Sequence, residues 1–152
     1  MCGITGFIQS GGAVRDLSEL CGRMTDAIAH RGPDAYGVWV DPQYPLALGH
    51  RRLSIIDLSE AGAQPMLSAT GRYVLSFNGE IYNFGRLRKD LSDSHYPYKG
   101  HSDTEVILAA VEHLGSREAI SRLEGMFAIA LWDRETGTLT LARDRAGKPP
   151  LY

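Results

Sequence analysis

The chain has 152 residues and a formal charge of −2 from 16 Lys and Arg against 18 Asp and Glu, which offers no attractive field to a nucleic acid or an anionic membrane surface. Its 43% hydrophobic and 22% charged content fits one globular domain with a full core and excludes a disordered or fibrous chain. The longest apolar run, Met126–Trp132, is far below the roughly 20 residues that a membrane-spanning helix needs.

Residues 3–9 read as a strand that begins almost at the N-terminus and ends in a Gly11-Gly12 turn. From Asp16 to His30, Leu17, Leu20, Cys21, Met24, Ala27 and Ile28 recur at helical spacing, with Asp16 or Ser18 as N-cap. Arg31-Gly32-Pro33-Asp34 stops that helix, and Tyr36–Val40 with Leu46–His50 then predict a hairpin. Leu53–Asp57 is a further extended apolar piece, and the break at Gly62–Pro65 precedes a strand over Arg72–Phe77. A helix is expected from near Asn83 to before Pro97, a second over Thr104–Leu114 with Asp103 as its cap, and a third over Ser116–Leu123. Met126–Trp132 and Thr138–Arg143 flank a five-residue loop ending in Gly137, as in a hairpin. Pro149-Pro150-Leu151-Tyr152 reads as the start of another strand, so the chain has the look of a piece of a longer protein. Strands and helices in separate stretches, without regular alternation, predict an antiparallel α+β architecture.

Cys2 is the sharpest chemical feature. Removal of Met1 makes it the first residue, and its α-amine, with a reference pKa of about 7.7–8.0, can then act as base to its own thiol. The plain alternative is a small side chain entering a strand. Asn78-Gly79 is on local chemistry a hairpin turn; its functional alternative is an oxyanion hole made of the Asn78 amide and the Gly79 N–H. Arg52 is either a surface residue or a fork for a carboxylate, and Asp103 either a helix cap or a partner for an ammonium group. His30 sits in a helix stop and is given no proton transfer, and Cys21 lies on an apolar helix face as a core thiol. Ser10-Gly11-Gly12 lacks the Lys-Ser/Thr ending of a phosphate-binding loop. Two cysteines make neither a disulfide framework nor a zinc spacing, so no metal site is expected. With no basic residue before Arg15, neither a secretory signal nor a transit peptide is expected, and the chain reads as cytoplasmic.

Taken together, Met1-Cys2-Gly3-Ile4, Arg31-Gly32-Pro33-Asp34, Arg52-Leu53-Ser54-Ile55-Ile56-Asp57, Gln64-Pro65-Met66, Asn78-Gly79-Glu80-Ile81-Tyr82-Asn83, Ser102-Asp103-Thr104-Glu105, Gly125-Met126-Phe127-Ala128 and Arg143-Asp144-Arg145 cover nearly the whole chain. In that order they resemble the class II glutamine amidotransferase domain at the N-terminus of glutamine-hydrolysing asparagine synthetases. The resemblance implies an N-terminal-nucleophile hydrolase fold, a four-layer αββα sandwich with two antiparallel sheets, here lacking its C-terminal strands. It implies Cys2 as nucleophile, Asn78 and Gly79 as oxyanion hole, and Arg52 and Asp103 as clamps for the glutamine α-carboxylate and α-ammonium. Leu53, Ser54, Ile55, Ile56 and Glu80 would line the glutamine pocket.

The activity so implied is hydrolysis of L-glutamine to glutamate and ammonia through a Cys2 γ-glutamyl thioester, with no cofactor in this domain. The ammonia would pass to a synthetase domain of the same polypeptide, absent here, where ATP and Mg serve the amidation of aspartate. No nucleic acid or membrane partner is implied, and a homodimer is among the expectations. The alternatives are a non-catalytic glutamine-binding or interaction module of the same fold, and an amidotransferase domain serving another acceptor. Lys148-Pro149-Pro150 departs from the family's lysine-proline order before Leu-Tyr.

Overall fold

In the computed structural model, which describes residues 2–11, 16–53 and 62–152, the chain opens with strand β1 (Gly3–Ile8), helix α1 (Leu17–Ala27), and the hairpin of β2 (Ala35–Val40) and β3 (Leu46–Arg52). These strands form an antiparallel sheet in the order β1-β3-β2. A second antiparallel sheet takes β4 (Met66–Leu67), β5 (Tyr73–Ile81), β6 (Gly125–Asp133) and β7 (Thr138–Arg143) in that order. Helices α2 (Phe84–Asp90), α3 (Asp103–Leu114) and α4 (Ser116–Ser121) lie between β5 and β6 in the chain.

Asp16 caps α1 by accepting the Glu19 amide at 2.9 Å, which settles Asp16 over Ser18. The helix ends at Ala27 and a 3-10 turn follows at Ala29–Arg31. Its inner face buries Cys21 and Thr25, while Ala27, expected on that face, is exposed. Arg51 of β3 fixes the end of α1 by donating to the Thr25 carbonyl at 3.0 Å and pairing with Asp26.

Alternation along the strands builds four layers. In β3 the odd residues turn to α1: a Cβ at Gly49 would run into Thr25 and Cys21. The even residues Leu46 and Leu48 turn the other way and pack with Val74, Ala130 and Trp132 of the second sheet. In β5 the odd residues Leu75, Phe77 and Ile81 meet the helix α3 stretch Val106–Val111, all of it buried. The order is therefore α1, first sheet, second sheet, α2–α4: the expected αββα sandwich.

Four local readings are corrected. Asn78-Gly79 is not a turn but lies inside β5, paired with Ala128 and Phe127; glycine is required because a Cβ there would overlap the Met126 carbonyl oxygen. The cap of α3 is Ser102, which accepts the Glu105 amide at 3.3 Å, and Asp103 is the first helical residue. The helix after Asn83 ends at Asp90, with a 3-10 turn at Ser92–Ser94 and a left-handed His95 before Pro97. Residues 148–152 form no strand, and the prolines there have no N–H to give a ladder. Of the extended piece Leu53–Asp57, Leu53 is irregular and the rest lies outside the described residues. Among those residues no helix is long and apolar enough to cross a membrane.

Candidate active site

Register decides which side chains meet. Gly3 pairs with Arg51 and Ile4 with His50, so continuing the ladder by one residue sets Cys2 opposite Arg52. Antiparallel partners share a face, and the face of His50 and Leu48 looks onto the second sheet. Cys2 and Arg52 therefore point into the layer between the sheets, at the end where β3 gives way to Leu53. The Cys2 thiol is half-buried; its Sγ accepts the Leu53 amide at 3.5 Å. Arg31 donates to the Cys2 carbonyl at 3.5 Å.

Two bonds tie the sheets together at this end. His50 Nε2 donates to the Phe77 carbonyl at 3.1 Å, and Ser76 Oγ donates to the Gly49 carbonyl at 3.2 Å. Asn78 follows directly. It is buried and shares the face of Val74 and Ser76, which looks onto the first sheet and thus toward the strand end that carries Cys2.

Along β5, alternate residues direct their N–H and C=O to the edge next to β4. Strand β4 covers that edge only at Val74 and Leu75. Beyond it, side chains replace a strand: Gln64 Oε1 accepts the Phe77 amide at 2.6 Å, and Asp103 Oδ2 accepts the Ile81 amide at 3.1 Å. Gly79 stands between them with its N–H on the same edge, because its β6 partner Phe127 bonds away from it, to Asp144. A backbone donor with no partner among the described residues, one residue from a buried side-chain amide, is the arrangement that stabilises a developing oxyanion.

Burial raises the Asp103 carboxyl above the usual carboxylate range against the amides of Ile81 and Thr104, and the neighbouring Glu80 adds to the rise. Such a carboxylate gains strongly from an incoming cation. The Glu80 side chain is exposed. Arg52 lies against Gly62, where a Cβ would strike its guanidinium. Leu53 meets Cys2 as described, while Ser54, Ile55 and Ile56, expected in the pocket, lie outside the described residues. Among the described residues no group of three His, Cys, Asp or Glu side chains is placed to hold a metal. A cleft of about 360 Å³ between β4 and the Tyr96–Lys99 stretch contains none of these residues.

Sequence reasoning did not single out His50 or the Gln64 side chain. The alternation Leu46, Leu48, His50 was the available signal for the histidine, since it continues a buried face. Nothing local marks Gln64: it also donates to Thr104 at 3.4 Å, a partner 40 positions away.

The family description of the glutamine amidotransferase domain matches residues 1–152. The chain belongs to the glutamine amidotransferase domain family. An asparagine synthetase (glutamine-hydrolysing) of Bacillus subtilis is 42% identical over the whole of this domain, which covers 24% of that protein. Amidase chry2 of Gibberella zeae is 40% identical, again over the whole domain and 24% of its own length. The chain thus spans about a quarter of the length of these curated relatives. The glutamine phosphoribosylpyrophosphate amidotransferase of B. subtilis, solved with ADP and GMP, shares the fold with a TM-score of 0.55 at 23% identity, over 66% of this amidotransferase domain and 23% of that chain.

Proposed function

We propose that this domain hydrolyses L-glutamine and supplies the ammonia to a synthetase domain that amidates aspartate. One observation carries the reading: the edge N–H of Gly79, without a partner among the described residues, and the inward Asn78 sit at the end of the sandwich to which the register brings Cys2.

With Met1 removed, the Cys2 α-amine takes the thiol proton and the sulfur attacks the glutamine side-chain carbonyl. Asn78 and Gly79 donate to the oxyanion that forms, and Arg52 and Asp103 hold the α-carboxylate and α-ammonium. The protonated amine passes its proton to the leaving nitrogen as the C–N bond breaks, giving ammonia and a γ-glutamyl thioester. Water, deprotonated by the same amine, adds to the thioester, and collapse expels the Cys2 sulfur and frees glutamate. Each step draws on Cys2 and hydrogen-bond donors, so the proposal assigns no metal or organic cofactor to this domain; ATP and Mg would serve acceptor activation in the synthetase domain. The asparagine synthetase relatives at 36–42% identity support aspartate as acceptor. The amidase relative at 40% identity favours a second reading, the same glutaminase chemistry with another acceptor.

Glutamate release from glutamine by protein whose mature N-terminus has been verified by mass spectrometry tests the reading, with Cys2→Ala as control. Release that depends on Cys2 supports it. Folded, Met1-free protein that releases no glutamate overturns it in favour of a binding module.

A further inference from the structure

We propose that His50 is a positioning residue: its Nε2–H, donated across the layer to the Phe77 carbonyl, fixes Asn78 and Gly79 relative to the strand that carries Cys2. The inference deepens the glutaminase reading and rests on it.

Three observations combine. His50 is 1% exposed and lies on β3 opposite Ile4, two residues from Cys2, while its other end reaches the residue just before Asn78. The bond therefore spans the two halves of the site directly. Next, Phe77 lies where β5 has lost its β4 neighbour, and both its backbone groups are held by side chains, the N–H by Gln64 and the C=O by His50. They hold the edge of β5 that faces away from β6 just where Gly79 presents its donor. Finally, a carbonyl only accepts, so Nε2 carries the proton. Nδ1 is buried without a hydrogen-bond partner among the described residues, which suits a bare lone pair far better than a second N–H. Burial pushes the imidazole down to about 4, the Phe77 bond opposing and the Arg52 charge adding, so the ring stays a neutral, fixed-tautomer donor through neutral pH.

Geometry separates positioning from mere filling of space. The Nε2 of glutamine can occupy the place of histidine Nε2, whereas the shorter asparagine amide stops near Nδ1. In the full protein, His50→Gln is expected to keep kcat for glutamine hydrolysis within about 3-fold. His50→Asn and His50→Phe are expected to lower it by about 10- to 100-fold, as for a donor misplaced by a fraction of an ångström, with KM for glutamine within about 3-fold. Equal rates in all three variants, or a Gln variant as slow as the Phe variant, would overturn the proposal. Two readouts need no glutamine. Imidazole nitrogen NMR should find the Nε2-protonated tautomer from pH 5 to 8, and backbone amide shifts of Phe77–Gly79 should move in His50→Asn but not in His50→Gln. The opposite tautomer, or shifts unmoved in His50→Asn, would sink the proposal even if the wild-type protein proved to hydrolyse no glutamine, a result that would count against the proposed function alone.

Discussion

Asp103 Oδ2 accepts the Ile81 backbone N–H at 3.1 Å, so one carboxylate joins the first turn of α3 to the end of the strand that carries Gly79. Asparagine at this position keeps an oxygen for Ile81 and loses the charge. Asp103→Asn is therefore expected to fold, to raise the glutamine KM by about 10- to 100-fold, the worth of one hydrogen bond to a charged group, and to leave kcat within a few-fold. Initial-rate kinetics check the split. Unfolding of this variant would instead make Asp103 a structural tie.

The same residue sets a pH dependence. Burial holds its carboxyl above the usual range, so the folded protein keeps that proton to higher pH than the unfolded chain does. Its contribution favours the folded state at acid pH and is lost as pH rises through the raised value. Glutamine binding runs the other way, because only the ionised form pairs with an ammonium. In kcat/KM profiles the wild type should lose activity as pH falls through that value, and Asp103→Asn should lack this limb.

Asn78 and Gly79 are adjacent but should fail differently. Asn78→Ala removes a side-chain donor and is expected to lower kcat by about 10²–10³ while retaining a cooperative melt. Gly79→Ala sets a methyl against the Met126 carbonyl and should cost several kcal/mol, about the upper end for single substitutions, visible as loss of soluble, cooperatively melting protein by circular dichroism.

His50 also makes a stability prediction. Its ordinary value of 6.5 falls to about 4 on burial, so between those pH values the unfolded chain binds a proton that the folded one refuses. Stability should drop as pH falls through this window, by about 3 kcal/mol at 1.36 kcal/mol per pKa unit. Urea titrations from pH 7 to 4 should show the drop in wild type and a shallower one in His50→Gln.

Asp41 is buried between elements and accepts the Trp132 indole N–H at 2.8 Å. Burial opposes its charge, but the amides of Gln43 and Tyr44, the indole and the Arg134 charge outweigh it and hold the carboxyl below the usual range. That contribution is present at neutral pH and lost as pH falls through the depressed value. Asp41→Ala, leaving the Trp132 donor buried without an acceptor, should cost about 1–3 kcal/mol, measured by urea unfolding at pH 7.

What the sequence makes legible is what repeats locally. The α1 stripe, the two hairpins and the helix over Thr104–Leu114 are set by spacing, and the structure keeps them with ends moved by a few residues. Asn78-Gly79 misleads because turn chemistry and a close strand crossing ask for the same residue: the demand for glycine comes from Met126, 47 positions later. Asp103 misleads in the same way, for Ser102 takes the cap and leaves Asp103 for a strand that no window around it contains. Cys2, Arg52 and Asn78 are legible as a set only through resemblance, since their common face depends on the β1–β3 register and on the stacking of two sheets.

The short β4 carries a consequence for protein engineering. It pairs with β5 at two positions only, and a redesign that lengthened it past Leu75 would add ladder bonds and raise thermostability. The added strand would also lie across Gly79 and use its N–H. Variants of this fold selected for heat resistance and activity together should therefore accumulate changes anywhere but here, and selection for heat resistance alone should zip this seam shut and yield hardy, inert proteins.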